Sequence, residues 1–149
     1  MRISKRSTMP LKNKGLFLAM PEGQNLLFAQ LKEILKKYEK SFDVRVDSAV
    51  QFELWTEHEF RTSSFHPKRQ RGVLFAGIAV KNSHVGLYYY PLHLGQQPEE
   101  LIPPALKMIK KGKSTFHFTS LDFTLRDQLE TLLSQGYDIY DSNGWIFKR

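Results

Sequence analysis

Within PEGQNLLFAQLKEILKKYEK (21–40), Leu27, Leu31, Ile34, Leu35 and Tyr38 recur at helical spacing. The pattern predicts an amphipathic helix, with Lys32, Lys36, Lys37 and Lys40 on its solvated side. The period then changes to two. In FDVRVDSAVQFELW (42–55), Val44, Val46, Val50, Phe52 and Leu54 share one parity, which predicts one long strand or two strands broken near Ser48. TSSFHPKRQRG (62–72) has loop composition, punctuated by Pro67 and Gly72. VLFAGIAVKNSHVGLYYYPLHL (73–94) follows and reads as a β-hairpin. With Asn82 and Ser83 at the turn, Val80 faces Val85, Ile78 faces Leu87 and Ala76 faces Tyr89 on an apolar side. The opposite side pairs Ala79 with Gly86, Gly77 with Tyr88 and Phe75 with Tyr90, placing rings over strand glycines. The three consecutive tyrosines therefore alternate between faces, and Tyr89 is expected in the core.

Pro103 and Pro104 suit the start of a short helix and Gly112 its cap. STFHF (114–118) reads as a further strand. Thr124 and Asp127 form a T-x-x-D capping box ahead of Leu125, Leu129, Leu132 and Leu133, a helical stripe that Gly136 or Gly144 would end. The order helix, strands, hairpin, short helix, strand, helix predicts the α+β class. The expected architecture is a single-domain two-layer sandwich, with a mostly antiparallel sheet and helices near both ends. A chain of 149 residues suits one domain with a real core, expected over 15–149.

Composition narrows the chemistry. Without cysteine there is no disulfide, thiolate nucleophile or Cys-based metal site, and a cytoplasmic location is the default expectation. No apolar run approaches the roughly 20 residues of a membrane span. The net charge of +7 is concentrated. Residues 1–14 hold Arg2, Lys5, Arg6, Lys12 and Lys14 with no acid, and read as a flexible basic leader. The remainder is nearly balanced, but between Glu59 and Glu99 it carries Arg61, Lys68, Arg69, Arg71 and Lys81 and no carboxylate.

Three segments, FAGIAVKNSHVGLYYYPL, PEELIPPALKMIKKGKSTFHF and LDFTLRDQLETLLSQGYDIY, resemble the YdhG-like domain family of small bacterial proteins. The matching positions are Phe75, Ala76, Val85, Pro91, Gly112, Lys113, Ser114, Phe116 and Phe118. The resemblance spans roughly residues 21–140. It implies a compact sandwich similar in outline to frataxin, and the iron-carrier role suggested within that family. It supplies no catalytic residues.

The most metal-like stretch is FELWTEHEF (52–60). If it stays extended, Glu53, Glu57 and Glu59 point to one side, close enough for carboxylates to share iron or another hard cation. The alternative is an ordinary charged face on an edge strand. A second candidate site lies on the hairpin: Phe75, Tyr88 and Tyr90 with His84, flanked by Arg61, Arg69 and Arg71. It would suit a small anionic or planar ligand, a protein or, less well, a nucleic acid. His84 and His117 are placed on the exposed side of the sheet. GKST (112–115) lacks the first glycine of a phosphate loop and follows a helix rather than a strand. No G-x-S-x-G and no H-x-x-x-H spacing occurs, so a non-catalytic binding or carrier protein is expected.

Overall fold

The computed structural model describes residues 22–56 and 72–146. The basic leader expected over 1–14 lies outside them. The first helix, α1, runs over Glu22–Lys36. Its stripe of Leu27, Phe28, Leu31, Ile34 and Leu35 is buried. At roughly 2 kcal/mol per large apolar side chain, this burial rather than helix propensity holds α1 in place. Tyr38 lies beyond the helix, half-buried against the core.

Five strands follow: β1 (Asp43–Asp47), β2 (Gln51–Trp55), β3 (Leu74–Val80), β4 (Val85–Tyr89) and β5 (Thr115–Phe118). They pair in chain order and wholly antiparallel. The break near Ser48 is real, because its hydroxyl accepts from the amides of Val50 and Gln51 and turns the chain. A bulge between Val44 and Val46 then shifts parity within β1. Val44 packs against the core, whereas Val46 pairs with Glu53, whose neighbours lie on the other face.

The hairpin has the expected register from Ala76↔Tyr89 to Val80↔Val85. It departs from expectation at one place. A second bulge, between Leu54 and Trp55 on β2, leaves Phe75 as an extra residue of β3. Phe75 thereby joins Ala76 on the apolar side and is fully buried, so no Phe75–Tyr90 pair forms.

Tyr90 instead begins the one-turn helix α2 (Tyr90–His93), followed by α3 (Pro104–Ile109). The amides at the start of α3 donate to Gln128 Oε1, which serves groups a helix cannot pair internally. Gly112, at φ +87°, makes the turn into β5 rather than capping α3, whose last residue is Ile109. The final helix, α4, spans Phe123–Ser142. Its N-cap is Asp122, which accepts from the Leu125 amide at 2.8 Å. The Thr124–Asp127 box is therefore displaced by two residues, because Thr124 already lies inside the helix. Gly144, at φ +79°, follows the C-cap.

α1 and α4 share one face of the sheet, joined by the Lys37–Glu130 ion pair and the Ser41–Tyr137 contact. The core between helices and sheet contains Phe42, Phe52, Phe75, Tyr89, Phe116, Phe118 and Tyr140. Burial pushes the phenols of Tyr89 and Tyr140 up, so both are neutral donors: Tyr89 to the Leu132 carbonyl and Tyr140 to the Leu74 carbonyl. At one end of β2 the buried Thr56 clasps Val73: its amide donates to the Val73 carbonyl and its hydroxyl accepts from the Val73 amide. Gly72 precedes this clasp at φ +86°, where a Cβ would meet the Thr56 carbonyl oxygen at 2.3 Å.

Candidate functional site

Among the described residues, no helix lies on the other face of the sheet. Strand pairing sets its ranks. Gln51, Ala79, Gly86 and His117 form one rank across four strands; Glu53, Gly77, Tyr88 and Thr115 form the next. Because three of the four middle-strand positions here are Gly77, Ala79 and Gly86, the floor is low. Two groups lie on it: the Glu53 stem above Gly77 and the Tyr88 ring above Gly86. The ring expected over Gly77 thus leans along its own strand instead, and a carboxylate side chain takes its place.

At the hairpin end, Val80, Lys81, Asn82, Ser83, His84, Tyr88 and His117 line a shallow depression of about 600 Å³. The imidazoles of His84 and His117 stack with centroids 3.8 Å apart and planes 16° from parallel. The Lys81 ammonium stands 5.8 Å from the centre of the Tyr88 ring. His84 is held below the ordinary imidazole range by desolvation first, then by His117 and Lys81, both of which oppose a second positive charge. Gln24 of α1 donates to the carbonyls of Lys81 and His84 and fixes the turn from the helix side.

Toward the other end, Arg45 stands 4.8 Å over Trp55 and donates to Asp43 and to the Thr56 carbonyl. The Trp55 indole donates to Glu53 Oε1 at 2.9 Å, and Gln51 donates to Glu53 Oε2 at 2.8 Å. This spends both oxygens of the only member of the proposed metal triad within the described residues. Glu57 and Glu59 lie outside them. β2 is also not an edge strand, since β1 and β3 flank it. Among the described residues, no group of three or more His, Asp or Glu side chains is placed to hold a metal ion.

Of the hairpin candidates, the structure brings Tyr88 and His84 together and separates two others from them. Phe75 is in the core, because the bulge turns it inward. Tyr90 packs against the core from α2, with its ring stacked on His93 at 4.6 Å. Pro91 ends the strand alternation that would have put Tyr90 on the open side. Arg61, Arg69 and Arg71 lie outside the described residues. Lys81 and Trp55 were absent from the expected set, although each carries the parity of its outward neighbours Ala79 and Glu53. Comparison with protein-family models, curated proteins and solved structures returns no match for this chain.

Proposed function

We propose that the chain is a cytoplasmic, non-catalytic binding module that takes a small planar or anionic ligand on the open face of its sheet. The observation carrying this reading is the low glycine and alanine floor with Tyr88, His84, His117 and Lys81 standing around one end. Rings beside a glycine and alanine floor offer stacking area, and the Lys81 ammonium offers charge complementarity. The Ser83 hydroxyl lies 3.2 Å from His84 Nδ1, but among the described residues no carboxylate lines the depression to complete a nucleophile and base set. The resemblance to YdhG-like domains points to the same class of small binding or carrier protein. No helix among the described residues is long and apolar enough to cross a membrane.

Benzenesulfonate is a suitable probe, being planar and anionic throughout the useful pH range. The expected result is a localised set of amide chemical-shift changes at Gly77, Gly86 and His117. Tyr88→Ala should weaken binding several-fold to about tenfold, the effect of losing a ring contact of about 0.5–1.5 kcal/mol. Its unfolding free energy should change by less than about 1 kcal/mol, because Tyr88 is only half-buried. Shifts confined to the helical layer, or none at millimolar probe, would overturn the proposal.

A further inference from the structure

We infer that the hairpin end of the open face is a proton-coupled oxyanion site, in which His84, His117 and Lys81 receive a sulfate-, phosphate- or carboxylate-type group of the ligand. This rests on the open-face reading and gives that face a ligand chemistry. Three observations carry it.

The first is the lining. Lys81, Asn82, Ser83, His84, Tyr88 and His117 supply ammonium, amide, hydroxyl and imidazole donors, and no carboxylate lines the depression. Among the described residues no ion pair occupies the Lys81 ammonium, which lies instead against the Tyr88 ring. Glu53, an acid of the same face, sits on β2, two strands from the β4 end that carries His84 and three from His117 on β5, and Gln51 and Trp55 of its own strand hold it. Two strand spacings are about 10 Å, the order of a screening length at physiological salt.

The second is the stacking of two imidazoles in near-parallel contact. A proton on each ring in that geometry would bring two like charges into contact, a repulsion that a counter-ion relieves. The charged groups facing His84 are His117 from β5 and Lys81 across the turn; α1 contributes only the neutral Gln24 amide. An anion in the depression removes the repulsion and favours uptake of a proton.

The third is mechanical. The turn that presents these groups is closed by the Lys81 amide donating to the His84 carbonyl at 2.8 Å, and is braced by Gln24. The donors thus stand on a fixed frame.

The sign follows from linkage. His84 is depressed in the free protein, so it is neutral near pH 7. Binding an anion raises its pKa, and affinity is greatest below the free-state pKa and declines as pH rises through the bound-state pKa. Each proton taken up on binding gives about tenfold in affinity per pH unit within that window.

The test is a titration of the full chain with sodium sulfate at constant ionic strength, at pH 5.5 and 7.5, followed by imidazole C–H and backbone amide resonances. Sulfate keeps its charge over this range, so any pH dependence belongs to the protein. The expected result is binding about tenfold or more tighter at pH 5.5, with shifts at His84, Gly86 and His117. His84→Gln and His117→Gln should flatten the pH dependence, whereas Lys81→Met should weaken binding at both pH values and keep the sign of the pH dependence. Their amide dispersion checks that each variant is folded. A pH-independent affinity, or imidazole resonances that ignore sulfate, overturns the oxyanion site. If benzenesulfonate still perturbs Gly77 and Gly86 in that case, the open-face reading survives alone. Silence to both probes removes both.

Discussion

Replacing Phe75 by alanine is expected to lower the unfolding free energy by about 3–5 kcal/mol, the cost of emptying a buried phenyl site. The ring is fully buried and stacks on Phe42 with centroids 4.5 Å apart and planes at 10°. It also meets Tyr38, Tyr89 and Tyr140. These neighbours come from both layers and from the segment joining α1 to β1, so the cavity has no single flexible side chain to fill it. Urea unfolding monitored by circular dichroism measures the loss. A ring standing on the open face would give a different result: less than about 1 kcal/mol of stability lost, with ligand binding reduced. The variant therefore separates the two placements of Phe75.

The second large effect runs against helix propensity. Gly136 lies in the middle of α4, where glycine costs about 1 kcal/mol relative to alanine, so Gly136→Ala would ordinarily stabilise. Here the added Cβ would stand 2.1 Å from the Tyr89 hydroxyl oxygen and 2.8 Å from Cζ. Tyr89 is fully buried; its hydroxyl is 2.8 Å from the Leu132 carbonyl and 2.9 Å from the Gln97 side chain, which in turn donates to Gln135. Relieving the clash displaces either the helix or the ring. Overpacking costs about 1–3 kcal/mol and a broken buried hydrogen bond a similar amount. The expected net outcome is a destabilisation of about 2–4 kcal/mol in chemical denaturation. In a Tyr89→Phe background the same substitution should cost less, because the obstructing oxygen is gone. An increase in stability on Gly136→Ala would mean that α4 does not approach the sheet this closely.

These two positions also show where the sequence was legible. The hairpin register followed from strict alternation and one turn dipeptide, and five consecutive pairs agree with it. The α1 stripe and the burial of Tyr89 were legible for the same reason: a periodic face must meet a core. Phe75 was not legible, because a bulge arises from the pairing of two strands and leaves no mark in the alternation of either alone. The sequence offers Gly136 or Gly144 as the helix end, and Gly144 takes that role after the Asn143 C-cap, leaving Gly136 inside the helix. Its actual role, clearance for a phenol hydroxyl arriving from β4, depends on a residue 47 positions away. In the candidate site, parity placed Tyr88 outward, and His84 and His117 were read as outward too. The contact between the two imidazoles required knowing that β5 pairs with β4. Of the Glu53, Glu57, Glu59 reading only Glu53, on β2, falls within the described residues.

The Thr56–Val73 clasp has a consequence for how the chain tolerates change. Two hydrogen bonds fix the points where it leaves β2 and approaches β3, and Arg45 adds a third bond at the Thr56 carbonyl. The register of the sheet is therefore defined on its own side of the clasp, whatever length of chain separates Thr56 from Gly72. The ends of β2 and β3 are accordingly pinned to each other by one threonine, so the two strands start and stop together at this edge of the open face.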